Sequence, residues 1–153
     1  AARGDDGDGG LPLRFRFGLT LDGARDIELG SRTTVKDDAV LGANVGVSYV
    51  AIPKLSLDVD AELMLRLTDA LWPPSRLQLT PGARYDVVQG LYVRAGAPVI
   101  AYPSPFNAGV LAGAGWRQRG SGILGGYVEV AYERYLLKEE SRVVLRGGLE
   151  AGN

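Results

Sequence analysis

Apolar and polar residues alternate with a period of two along most of this chain. In Leu11–Asp22 the positions Leu13, Phe15, Phe17, Leu19 and Leu21 are apolar, and Arg14, Arg16, Gly18 and Thr20 stand between them. In Leu41–Ala51 the apolar set is Leu41, Ala43, Val45, Val47 and Tyr49, set against Gly42, Asn44, Gly46 and Ser48. Lys54–Thr68 is the cleanest segment: Leu55, Leu57, Val59, Ala61, Leu63, Leu65 and Leu67 face Ser56, Asp58, Asp60, Glu62, Met64 and Arg66. Successive side chains of a strand point to opposite faces, whereas a helix would scatter these charges around its whole circumference. The same rhythm runs through Leu77–Val87, Leu91–Val99, Val110–Arg117, Leu124–Glu133 and Arg142–Glu150. About eight strands are therefore predicted. Each is about 10–14 residues long, enough to cross ~30 Å of hydrocarbon when tilted, whereas soluble strands usually stop near 5–6 residues.

The connections alternate in length. Tight turns are predicted at Ile52-Pro53-Lys54, Gln89-Gly90 and Arg119-Gly120-Ser121-Gly122. Longer links fall at Gly23–Asp38, Asp69–Ser75 and Tyr102–Asn107, and a short one at Lys138–Ser141. That is the rhythm of a closed antiparallel up-and-down barrel, with tight turns on the periplasmic side and long loops outside. Residues 1–10 are acidic and Gly-rich and are expected to be a disordered, solvated tail; residues 11–153 form the barrel domain.

Alternation leaves two barrels open. A soluble, lipocalin-like barrel turns its apolar face inward and binds an apolar ligand there. A transmembrane barrel turns that face to lipid. Three features favour the second. The polar face is studded with Gly18, Gly42, Gly46, Gly82, Gly96, Gly113, Gly115, Gly125 and Gly148, which suit a narrow lumen that side chains must fill. The strand cations are arginines, with lysine only at Lys36, Lys54 and Lys138 in predicted loops or turns. Arginine pairs bidentately with carboxylates and tolerates desolvation better than lysine. A lumen charge network is thus predicted from Arg14, Arg16, Arg66, Arg84, Arg94, Arg117 and Arg146 with Asp58, Asp60, Glu62, Asp86, Glu129, Glu133 and Glu150. Finally, Tyr49, Tyr85 and Trp116 fall on the apolar face at one rim, with Tyr132 at the other, as an interfacial aromatic girdle requires.

In pattern, Leu11–Glu150 resembles the small eight-stranded OmpA- and OmpX-like outer-membrane proteins. The resemblance implies residence in the outer membrane of a Gram-negative bacterium and contact with the lipid bilayer. It departs at the end of the chain. Such barrels generally close on an aromatic, where this sequence reads Leu149-Glu150-Ala151-Gly152-Asn153.

Chemistry is sparse. The 153 residues contain no histidine and no cysteine, which removes Ser-His triads, disulfides and thiolate metal sites. A net charge of -1 without a basic block gives no footprint for nucleic acid. Asp6, Asp8 and Gly9 lack the other ligands of a calcium loop, and Gln118 breaks the dinucleotide fingerprint begun by Gly113-Ala114-Gly115. Asp58, Asp60 and Glu62 could bind a hard cation or form a ladder answering Arg14 and Arg16 on a neighbouring strand; the ladder is the reading adopted. No cofactor, metal or enzymatic activity is expected. The expected role is structural anchoring or interaction through residues 23–38, 69–75 and 102–107, with lipopolysaccharide or another envelope protein as partner. A narrow pore and the soluble ligand-binding barrel are the alternatives.

Overall fold

The computed structural model describes residues 12–24, 39–66, 76–103, 106–120, 122–137 and 140–152. The predicted tail, the charged link 25–38 and the Trp72-Pro73-Pro74 tip lie outside the described residues. Among the described residues the chain forms nine strands: β1 (Leu13–Ala24), β2 (Ala39–Ile52), β3 (Leu55–Arg66), β4 (Arg76–Val88), β5 (Leu91–Gly96), β6 (Val99–Tyr102), β7 (Asn107–Arg119), β8 (Leu124–Tyr135) and β9 (Glu140–Ala151). All pairings are antiparallel, and the β1–β9 and β3–β4 ladders close the sheet on itself.

β5 and β6 are two halves of one stave. Both pair with β4 on one side and β7 on the other, and Gly96↔Leu111 and Val99↔Ala108 keep one register across the gap. The sequence alternates without interruption here, yet the strand breaks at Ala97-Pro98. Pro98 has no N–H to give, so Gly109 N donates to Pro98 O at 2.9 Å with no return bond. Pro81, across the ladder, likewise accepts from Ala97 N at 2.9 Å and donates nothing. The barrel therefore has eight staves.

The stagger follows from the registers. Cross-strand partners lead from Leu13 through Tyr49, Leu57, Ala83, Ala95, Ala112, Tyr132 and Val143 back to β1 at Gly23, ten residues from the start. With eight staves that shear sets a tilt of roughly 40° and a radius of about 8 Å, an interior that side chains can fill. The short turns lie at one rim, together with Leu13 and Ala151. There Gly90 (φ 87°) and Gly122 (φ 129°) take left-handed backbone that other residues adopt only under strain. Register shifts at Val50/Ile52 and Asp86/Val88 sit beside two of these turns and tighten the corners.

Burial assigns the faces. Phe17, Leu19, Val45, Leu57, Leu79, Val130 and Leu149 are exposed on the outside, while Arg16, Glu62, Arg94, Glu129, Glu133 and Arg146 are buried inside. The apolar face is the outer face, so this is not the lipocalin arrangement. Among the described strand residues the outer face carries one charged side chain, Arg134, at the loop-side rim.

Candidate functional site: the charged lumen

Alternation sends every second side chain of each stave inward, and closure brings those rows face to face across the barrel. Three tiers of polar contacts result. Toward the tight turns, Arg117 bonds Asp86 and reaches Glu150 at 3.0 Å. In the middle, Arg94 Nη1 donates to Glu129 Oε1 at 3.1 Å, and its Nη2 lies 3.0 Å from Asp58 Oδ2 and also against Asp60. Arg16 Nη2 donates to Asp58 (3.1 Å) and Asp60 (2.7 Å). Arg84 joins these tiers, pairing with Asp58 and Glu129 at 3.3 Å each and with Glu150 at 3.9 Å. Toward the loops, Arg146 meets Glu62 at 2.5 Å, Glu133 at 2.6 Å and Glu129 at 3.3 Å.

Neutral side chains complete the filling. Tyr92 donates to Glu129 Oε2 at 2.9 Å, and its ring lies 4.9 Å beneath the Arg84 guanidinium. The Tyr135 hydroxyl lies 2.7 Å from both Glu133 Oε2 and Gln78 Oε1. Tyr127 donates to Asn44 Oδ1 (2.7 Å), Asn44 to Thr20 (2.9 Å), and Thr20 to Glu62 Oε2 (3.0 Å). At the loop-side mouth Asp22 Oδ2 accepts from both Arg76 and Arg142 at 2.8 Å each.

The structure thus gathers Arg16, Asp58, Asp60, Glu62, Arg84, Asp86, Arg94, Arg117, Glu129, Glu133, Arg146 and Glu150 in the lumen. Arg66 ends β3 opposite Val40, and its side chain lies outside the described residues. One expectation is corrected. The carboxylate ladder of β3 does not answer both Arg14 and Arg16 from an adjacent strand, because β2 lies between β1 and β3. Arg16 reaches over β2 at Gly46, where a Cβ would collide with the Asp60 carboxylate and the Arg16 fork. Arg14 belongs electrostatically with Arg117 and Glu150 at the tight-turn end. The ladder is thus shared between Arg16 of β1 and cations of β4, β5 and β9, namely Arg84, Arg94 and Arg146.

The sequence pattern did not single out Tyr92, Tyr127, Tyr135, Gln78, Asp22 or Arg76. Their inward phase was the available signal, but aromatic character on a polar face is ambiguous without the opposite wall. On the outer face, Tyr49, Tyr85 and Trp116 are exposed at the tight-turn rim and Tyr132 at the loop rim.

The lumen glycines are spaces for these large side chains. A Cβ on Gly115 would run into the Tyr92 ring, and one on Gly42 into Met64 Sδ. Gly126, on the outer wall, would place its Cβ 3.7 Å from the nearest atom, Gly148 O. Gly115→Ala is therefore expected to lower stability by about 1–3 kcal/mol through overpacking. Gly126→Ala should be close to neutral, and urea unfolding from lipid vesicles compares the two.

No protein-family model and no curated protein matches this chain. Two solved structures are similar over nearly its whole length. One comes from the de novo design of transmembrane β-barrels: 16% identity, 93% of this chain and 96% of that chain covered, TM-score 0.53. The other is the outer membrane protein OprG from Pseudomonas aeruginosa: 15% identity, 92% and 95% covered, TM-score 0.55. Both likenesses are of fold. The chain has the closed antiparallel fold of a transmembrane β-barrel, the outer-membrane type with eight staves.

Proposed function

We propose that this protein is a closed, non-conducting barrel of a Gram-negative outer membrane. Its wall anchors the loops between staves for contact with lipopolysaccharide or another envelope protein. Its strand pattern resembles that of the OmpA- and OmpX-like barrels. The observation that carries this reading is the inversion of the molecule: an apolar outside around a lumen packed with paired charge. Arg94, Arg146, Glu129 and Glu133 are each at most 3% exposed. A lumen filled this way opposes passage of a hydrated solute, and a wall this apolar favours contact with lipid. Neither histidine nor cysteine is available for acid–base or nucleophilic chemistry, which supports a non-enzymatic role. Function then falls to the connections at the loop-side mouth, where Tyr102 and Phe106 are exposed.

Planar-bilayer recording tests the closed lumen. The wild-type barrel is expected to give no steady current, and Glu62→Gln no selective one. A stable conductance in the wild type that changes on Glu62→Gln or Arg14→Gln would establish the narrow pore instead.

A further inference from the structure

Every outward strand position described is uncharged except Arg134 of β8. It is exposed, and it forms no ion pair with any described residue. Its cross-strand partner on β9 is Ser141, and its same-face neighbour two residues back is Tyr132. The Tyr132 hydroxyl donates to Ser141 Oγ at 2.9 Å on this outer surface. Below this group the wall continues through Val130 and Val143; above it stand Leu136 and Leu137, 61% and 69% exposed. Leu136 N is held by Ala108 O at 2.9 Å, which fixes this apolar crest to β7.

An arginine in such a setting needs a counter-charge. On a lipid-facing wall it is tolerated only at the interfaces, where headgroups supply one. The lumen carboxylates cannot serve, since they lie on the other face of the sheet. We infer that Arg134, with the Tyr132 and Ser141 hydroxyls, binds the phosphate of a lipid headgroup on the outer wall, with acyl chains lying along Val130 and Val143. The geometry suits phosphate: a guanidinium fork and two hydroxyl groups opposed across one antiparallel pair, at the level where hydrocarbon ends. This rests on the membrane reading above, but it assigns a contact to the barrel wall and not to the loops.

The test is native mass spectrometry of the full chain released from mixed micelles of equimolar phosphatidylglycerol and phosphatidylcholine. Retention of phosphatidylglycerol over phosphatidylcholine by the wild type is expected to exceed that by Arg134→Gln about fivefold, the order one arginine near an anionic surface supplies. Arg134→Lys should keep most of the preference, because charge matters more than fork geometry at a wet interface. Each variant is first checked for the mobility shift on boiling that marks a folded barrel. Equal retention by folded wild type and Arg134→Gln overturns the site while leaving the membrane reading intact. Failure of the wild type to fold with any lipid overturns both. Titration of inorganic phosphate into barrel held in zwitterionic micelles separates the sources: binding as tight as that of phosphatidylglycerol would assign the site to free phosphate and overturn the lipid assignment.

Discussion

Arg94→Met is expected to be the most damaging single substitution in the lumen. Arg94 faces Asp58, Asp60 and Glu129 at once, and all three carboxylates are buried. Removing the cation leaves three buried negative charges around an apolar side chain. Breaking a buried ion pair by deleting one partner costs about 3–5 kcal/mol, since the remaining charge stays desolvated. Arg16 and Arg84 still touch Asp58 and Asp60, and Glu129 keeps Arg84, Arg146 and Tyr92, so the loss is shared among the three carboxylates. The expected readout is a large drop in the urea midpoint for the boiling-sensitive band in lipid vesicles. Pairing Arg94→Met with Glu129→Gln should restore part of the loss, because it removes one of the three charges that Arg94 balanced. An Arg94→Met barrel as stable as wild type would mean that the lumen charges are hydrated individually and that the network does not hold the barrel.

Val45→Arg is expected to have the next largest effect, through a different medium. Val45 is exposed midway along β2, with Phe17 and Ala61 as outward neighbours. On a soluble surface an arginine there would be harmless. At a bilayer midplane it costs about 2–4 kcal/mol, falling to about 0–1 near the interface. Ile52→Arg, at the tight-turn rim on the same strand, should therefore cost far less than Val45→Arg when unfolding is measured from lipid vesicles. Equal, small effects at both positions would place the outer wall in water and remove the membrane reading.

The wall was largely legible in the sequence. A strand's side-chain period is two, so the alternation of Lys54–Thr68 already separated Leu57 and Val59 from Asp58 and Asp60, whatever the strand paired with. The turns could be placed because glycine and proline interrupt the alternation where backbone must reverse, as at Gln89-Gly90. The preference for arginine over lysine, and the glycines between them, anticipated a crowded and desolvated interior. The alternation did not mark Ala97-Pro98 as a break, because side-chain polarity carries no record of a missing N–H; only the identity of Pro98 does.

The charge network was legible as a set of residues but not as a set of pairs. Arg94 lies on β5, and its partners lie on β3 and β8, two staves away on either side. Arg146 on β9 likewise reaches Glu62 on β3 across the lumen. Nothing local in the chain links these residues. The inward-pointing Tyr92, Tyr127 and Tyr135 were hidden for the same reason: an aromatic at a polar-phase position has meaning only when the carboxylate or amide facing it is known.

By itself, then, the sequence determined which residues face together, how long the strands are and that no histidine or cysteine chemistry is present, because those properties are local and periodic. The tertiary structure decided which face is outside, how far the staves are staggered, which arginine meets which carboxylate, and that Arg134 alone among the described outward positions carries a charge. Those depend on ring closure: a shear of ten residues over eight staves sets which inward rows come level across a lumen about 8 Å in radius.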